Sequence, residues 1–441
     1  MSAALHAGSD PYVPRHGDES FEVLHYDLKI AYKVEGNRLD GDATLSCRVL
    51  EETDVIHLDL HGLHPQKVFV DGRAQRFTHL RGRLAVKLPL APGAELTVRV
   101  KYSGTPSPVS TRHLGSAGWE ELEDGVIVAA QPHGAPTWFP CNDRPDNKAT
   151  YTIALSAPPD YTVAVSGELQ GKSRKGNAVT WSYEQTVPMA TYLATVQIGR
   201  YRTLEHAGAP VPVRTIAPPQ LSAADLQGSF DAQPEMLTFF AGLFGDYPFS
   251  SYTAVITADE LEIPLESQGL STFGSNFVDT EWESVRLIAH ELSHQWFGNS
   301  VTLQRWQDIW LHEGFACYCE WLWAEESGVS SVQAEVDKHH ALLAELPQDD
   351  LQLSDPGPDL MFDDRIYKRG ALTVHALRLH LGEERFFALV SDWLAEHRGG
   401  NVTTEMFLAH VRRAAGEEAA ALLTPWLFET ELPACPVPAS A

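Results

Sequence analysis

The chain has 441 residues, 44% hydrophobic and 21% charged, the balance of a folded globular protein rather than a disordered one. Asp and Glu outnumber Lys and Arg by 59 to 33, for a net charge of −26. So acidic a chain is a poor partner for nucleic acid or an anionic membrane, and its length allows roughly two to four domains.

The first thirty residues contain no basic segment followed by an apolar core, so no secretory leader is expected. No stretch approaches the ~20 apolar residues of a membrane span. The five cysteines (Cys47, Cys141, Cys317, Cys319 and Cys435) are odd in number and sparse, the usage of free thiols in a reducing compartment. A cytoplasmic protein is expected.

From residue 20 onward, short runs at 25–32, 43–50, 55–60, 84–88, 96–102, 126–130, 150–155, 161–166 and 192–198 read as strands. Turn signals such as Asp71-Gly72, Ala91-Pro92-Gly93 and Ala157-Pro158-Pro159 separate them. Many short strands at this spacing predict an antiparallel, sandwich-like β domain over residues 1–205. The pattern changes over 206–441. Segments 211–216 and 253–257 still read as strands, Pro218-Pro219 breaks the chain, and a helical pattern ends near Phe244. Further helices are predicted near 283–297, 308–327, 330–345, 366–381, 384–396, 403–415 and 417–429, with a frayed tail at 433–441. The fold class is therefore α+β, a β-rich domain followed by a mainly helical one.

In the predicted helix 283–297, Val285, Ile288, Ala289, Leu292 and Trp296 form one apolar face. The same segment carries His290-Glu-Leu-Ser-His294. On a helix the two histidines lie one turn apart and can reach a single ion. Glu291 is turned by about 100° from His290, off the metal but beside the water it would hold. Two imidazoles and one carboxylate, with a fourth position for water, suit zinc. Glu313 supplies the carboxylate after 18 intervening residues, enough for the first helix to end near Gly298-Asn299 and for a second to return. Cys317 and Cys319, two apart on that second helix, do not face each other and are not read as a metal site.

HELSHQWFGN at 290–299 and WLHEGFA at 310–316, with QPHGAPTWFPCNDRPDNKATY at 131–151, PMATYLATVQIG at 188–199 and DYPFSSY at 246–252, closely resemble the aminopeptidase N and leukotriene hydrolase family of gluzincin zinc peptidases. The resemblance covers nearly the whole chain. It implies a saddle-like N-terminal β domain, a thermolysin-like catalytic domain, one zinc ion, and peptide substrates with a free N-terminus. Most relatives continue into further domains, so this sequence resembles a minimal two-domain member, with a more open site expected.

The resemblance also implies roles for individual residues. Glu291 would be the general base. Glu266, in Ile263-Pro264-Leu265-Glu266-Ser267 where the family reads G-x-M-E-N, would bind the substrate's α-amine. Tyr367, in Tyr367-Lys368-Arg369-Gly370 where the family reads Y-x-K-G, would stabilise the oxyanion. Gln131 aligns with a Glu or Gln that helps hold the amine. Glu320, on the face of Glu313, would orient a ligand histidine. Epoxide hydrolysis or endopeptidase chemistry at the same zinc, and a non-catalytic scaffold, are the alternatives.

Overall fold

The computed structural model describes residues 10–112 and 114–437. Residues 1–9 of the expected leaderless start and residues 438–441 of the expected frayed tail lie outside the described residues.

The N-terminal half is built on an eight-stranded sheet. Its spatial order is Glu168–Lys175, Ala178–Met189, Ala149–Ala157, Phe21–Lys33, Arg38–Val49, Glu95–Gly104, His64–Val70 and Arg73–Gln75. In Glu95–Gly104 buried and outward residues alternate strictly, because the pleat sends successive side chains to opposite faces. The pairing is antiparallel except where Phe21–Lys33 runs parallel to Ala149–Ala157, a departure from the all-antiparallel expectation. Strand period reports burial and is blind to a partner's direction. A five-stranded sheet (Thr162–Val165, Val196–Gly199, Gly125–Ala129, Gly115–Leu122, Val109–Thr111) and a three-stranded one (Thr53–Asp59, Arg83–Leu90, Phe77–Leu80) complete this half. Val196–Gly199 is buried along its whole length.

The second half begins with a further sheet, Arg202–His206, Val213–Ala217, Tyr252–Ile256, Leu270–Phe273 and Leu265–Ser267. Its inner pairs are parallel and its edge pairs antiparallel. Sequence periodicity found two of the five strands. Leu265–Ser267 has three residues and Leu270–Phe273 four, buried throughout, so no alternation marks them, and Arg202–His206 has no fully buried residue to mark a core face. Among the described residues this half also contains eight α-helices: α1 Gln233–Phe244, α2 Trp282–Ser293, α3 Trp310–Glu326, α4 Val332–Ala344, α5 Asp364–Leu381, α6 Glu383–Glu396, α7 Thr404–Ala415 and α8 Glu417–Phe428. No helix among the described residues is long and apolar enough to cross a membrane.

Two features of this helical layer position the site. α3 and α5 cross at Gly314 and Gly370, where a Cβ on Gly370 would stand 2.6 Å from the Gly314 Cα. Only a glycine pair allows that approach. The first turn of each helix, carrying Glu313 and Tyr367, is thereby drawn together. The second feature is a seam to the β half. Lys148 donates to the carbonyls of Asn299 (3.1 Å), Ser300 (2.9 Å) and Gly400 (3.3 Å). Tyr192 packs edge-to-face on Trp306 with ring centres 4.9 Å apart, and one apolar core runs through both halves.

Candidate metal centre

α2 ends at the metal motif. His290 lies in its last turn and His294 just past its final residue, with the His294 amide still donating to the His290 carbonyl at 3.2 Å. The chain reverses at Gly298, whose φ of +130° lies where side-chain-bearing residues rarely go. It returns as α3, which carries Glu313 in its first turn. Helix N-termini favour such a carboxylate.

The outcome is compact. Glu313 Oε2 lies 3.3 Å from His290 Nε2 and 3.4 Å from His294 Nε2. One ligand atom from each of the three falls within 4.8 Å of the others. Both imidazoles are fixed from behind. His290 Nδ1 lies 2.7 Å from Glu320 Oε1, and His294 Nδ1 lies 2.9 Å from the Phe297 carbonyl. A carboxylate or carbonyl on Nδ1 leaves Nε2 as the metal-facing nitrogen. Glu320 is held in turn by Arg286 at 3.0 Å.

Glu291, Glu266 and His294 form a second close group. Glu266 sits on the edge strand Leu265–Ser267, tied to the turn after α2 by Asn299 Nδ2 donating to its carbonyl at 2.7 Å. Its side chain accepts from Gln131 Nε2 at 2.6 Å. The Tyr367 ring stacks on His290 with centres 5.9 Å apart. All seven residues singled out from the sequence therefore gather at one place, and Glu320 stands directly behind it.

The electrostatics are lopsided. Burial raises the Glu266 carboxyl above the usual carboxylate range, opposed by His294 and reinforced by the charge of Glu313. Burial likewise raises Glu291, reinforced by Glu266 and Glu313 and opposed by the two histidines. Burial would also raise Glu313, but His294 and the hydrogen bonds from both histidines outweigh it and hold that carboxyl low. Glu291 Oε2 is buried without a hydrogen-bond partner, an arrangement that carries a penalty unless something else fills it. Two imidazole nitrogens, one low-lying carboxylate and an orphaned carboxylate oxygen fit zinc and a water.

The donor set is buried: His290 is 5%, Glu291 4%, His294 1% and Glu313 3% exposed. Sequence reasoning passed over several supports. Arg286, the Phe297 carbonyl, Asn299 and Lys148 act through backbone geometry or cross-domain contact, for which a linear pattern carries no signal. Tyr192 was visible only as part of a motif. Its hydroxyl is buried without a partner and is pushed up by burial and by the charges of Glu266 and Glu313.

Residues 22–193 match the peptidase M1 N-terminal domain, and residues 229–426 match the peptidase family M1 domain. The chain is 26% identical to aminopeptidase 2 of Candida albicans over 91% of this chain and 46% of that protein. It is 25% identical to aminopeptidase N of Lactobacillus delbrueckii subsp. lactis over 94% of this chain and 52% of that protein. The chain thus spans about half the length of these curated relatives. An M1 zinc metallopeptidase from Deinococcus radiodurans, solved as a variant with a Tyr-Ser-Ala substrate, superimposes with a TM-score of 0.90 at 31% identity, covering 98% of this chain and 99% of that one. A two-domain M1 zinc metallopeptidase variant bound to L-arginine gives 0.89 at 31% identity, with the same coverage of both chains.

Proposed function

The chain belongs to peptidase family M1, and from that footing we propose that it is a zinc-dependent aminopeptidase that removes residues from the free amino end of peptides. The observation that carries the proposal is the pairing of two groups in one buried site: a zinc donor set, and a carboxylate beside it that no protein cation neutralises. Among the described residues Glu266 has Gln131, not Lys or Arg, as its side-chain partner. That leaves room for a substrate ammonium. The solved relatives hold a Tyr-Ser-Ala peptide in one case and L-arginine in another, which supports peptides and their released amino acids as the ligand class.

In this reading His290, His294 and Glu313 hold the zinc. Bound there, zinc supplies Lewis acidity, lowering the pKa of a water from about 16 to about 7 and polarising the scissile carbonyl. Glu291 takes the proton from the attacking water and returns it to the leaving amine, the work of a general base and then a general acid. A carboxyl raised by burial is closer in proton affinity to neutral pH and so better suited to both halves of that task. Tyr367 donates its hydroxyl to the developing oxyanion, a contribution of about 3–4 kcal/mol on the scale of other such donors. Glu266 and Gln131 bind the α-amine. An internal peptide bond brings no ammonium and would leave Glu266 desolvated and unpaired, which disfavours its cleavage.

The same proposal includes two broader readings. The sequence pattern puts the seam between the domains at residue 205, but Arg202–His206 pairs within the second sheet, so we set it at about residue 200. A cytoplasmic location is supported by the thiols of Cys47, Cys141, Cys317, Cys319 and Cys435, all free. The test is Glu291→Gln. Zinc content and thermal unfolding should match the wild type while turnover falls at least ~100-fold, the usual scale of a lost general base. A variant retaining most of its rate would remove Glu291 from the mechanism.

A further inference from the structure

The β half contains a cavity outside the metal centre. Its volume is about 430 Å³, and Arg15, Arg81, Arg83, His16, His61 and His133 line it, with Asp59 as the one acidic residue. In a chain of net charge −26, three arginines around one cavity run against the rest of the composition, while burial lowers the His61 and His133 imidazoles and leaves them as neutral hydrogen-bonding groups.

Which of these groups are already committed decides what the cavity can bind. Asp59 is spent: Oδ1 accepts from Arg83 at 2.9 Å, and Oδ2 accepts from the amides of Gly17 at 2.7 Å and Asp143 at 3.2 Å. Arg83 is spent with it, donating also to the carbonyls of Arg15 (2.7 Å) and Gly17 (2.9 Å). His16 uses Nδ1 on Asp143 at 2.8 Å. The others are uncommitted. Arg15 and Arg81 have no ion pair among the described residues and stand exposed at the rim. His133 is only 1% exposed, yet neither ring nitrogen has a hydrogen-bond partner. Its ring centre lies 5.8 Å from that of His16. A buried imidazole with both nitrogens unused carries an unrepaid desolvation cost.

Two free guanidinium groups, an unused imidazole and a neutralised carboxylate specify an acceptor-rich, negatively charged occupant. We propose that this cavity is a binding site for a small oxyanion, of the phosphate or phosphate-ester class. Guanidinium groups recognise such oxygens through paired, charge-assisted hydrogen bonds, and the volume suits a small metabolite rather than a chain. A second metal site is the less favoured reading of the histidines. Among the described residues, the close sets of three potential ligand atoms are confined to the catalytic cluster.

Calorimetric titration of the full zinc-loaded protein with inorganic phosphate, in chloride-free buffer at constant ionic strength, tests the site. The comparison is the double variant Arg15→Asn, Arg81→Asn. Both arginines have positive φ, 73° and 52°, a conformation that asparagine tolerates, so the charge is removed with the backbone kept. Saturable binding weakened at least tenfold in the variant, with peptide hydrolysis unchanged, is expected. Should the double variant fold poorly, Arg81→Asn alone should weaken phosphate at least threefold. Equal affinity in wild type and variant would mean that phosphate binds elsewhere on the protein and would overturn the proposal. So would the absence of saturable heat, or uptake of added zinc at the histidines without uptake of phosphate.

Discussion

Glu266 and Glu291 are both buried, both near His294, and both raised in pKa by their surroundings, yet the proposed mechanism gives them different work. The difference lies in what each side chain already has. Glu291 keeps an oxygen without a partner, as a base awaiting a water must. Glu266 accepts from a neutral amide, which orients it without cancelling its charge. Replacing Glu266 by Ala should therefore leave zinc content unchanged and lower kcat/KM for a free-amine substrate by about 30-fold or more, the lower end of the 2–5 kcal/mol lost when one member of a buried charge pair is removed. Zinc analysis beside steady-state kinetics checks this. Loss of metal, or an unchanged kcat/KM, would place the amine elsewhere. This residue scale is where the sequence was most legible. The i, i+4 histidines and the later Glu313 come together as their spacing predicts, and Glu266 and Tyr367 keep their motif position although their neighbours differ from the family pattern.

Between residues and fold stand the helices that carry them. α2 carries the two proposed histidine ligands because one helical turn separates them, and α3 brings the proposed third, Glu313, because the chain reverses at Gly298. Tyr367 arrives on α5, and the contact of Gly314 with Gly370 sets how closely that helix can lie. Gly370→Ala places a Cβ within 2.6 Å of the Gly314 Cα, so the helices must part. The expected cost is about 1–3 kcal/mol in stability, the range for overpacking a core, together with a larger fall in kcat than in zinc content as Tyr367 withdraws from the site. Thermal unfolding and metal analysis of the variant read both. A stable, fully active Gly370→Ala would show that the crossing does not set the tyrosine's place. Helices were legible because their apolar period and capping signals are local: Asp363 and Thr403 each accept an amide hydrogen bond at the start of α5 and α7. Strands such as Leu265–Ser267 were not, since three residues cannot display a period.

At the scale of the whole molecule, the β half supplies parts of the site. Gln131 reaches Glu266, and Lys148 holds three carbonyls, two of them in the turn that follows the metal helix. The helical half alone would lack both. The division into a β-rich and a helical half was readable from periodicity. The contacts across it were not, because Lys148 and Asn299 are 151 residues apart and nothing in a linear pattern pairs them. The central claim joins these scales: a zinc centre and an ammonium-binding carboxylate act on the same substrate. Its most direct test is hydrolysis of leucine p-nitroanilide beside its N-acetyl form, before and after chelation and zinc restoration. Cleavage of the free amine alone, abolished by the chelator and recovered with zinc, is the expected result. Equal cleavage of both substrates would contradict it.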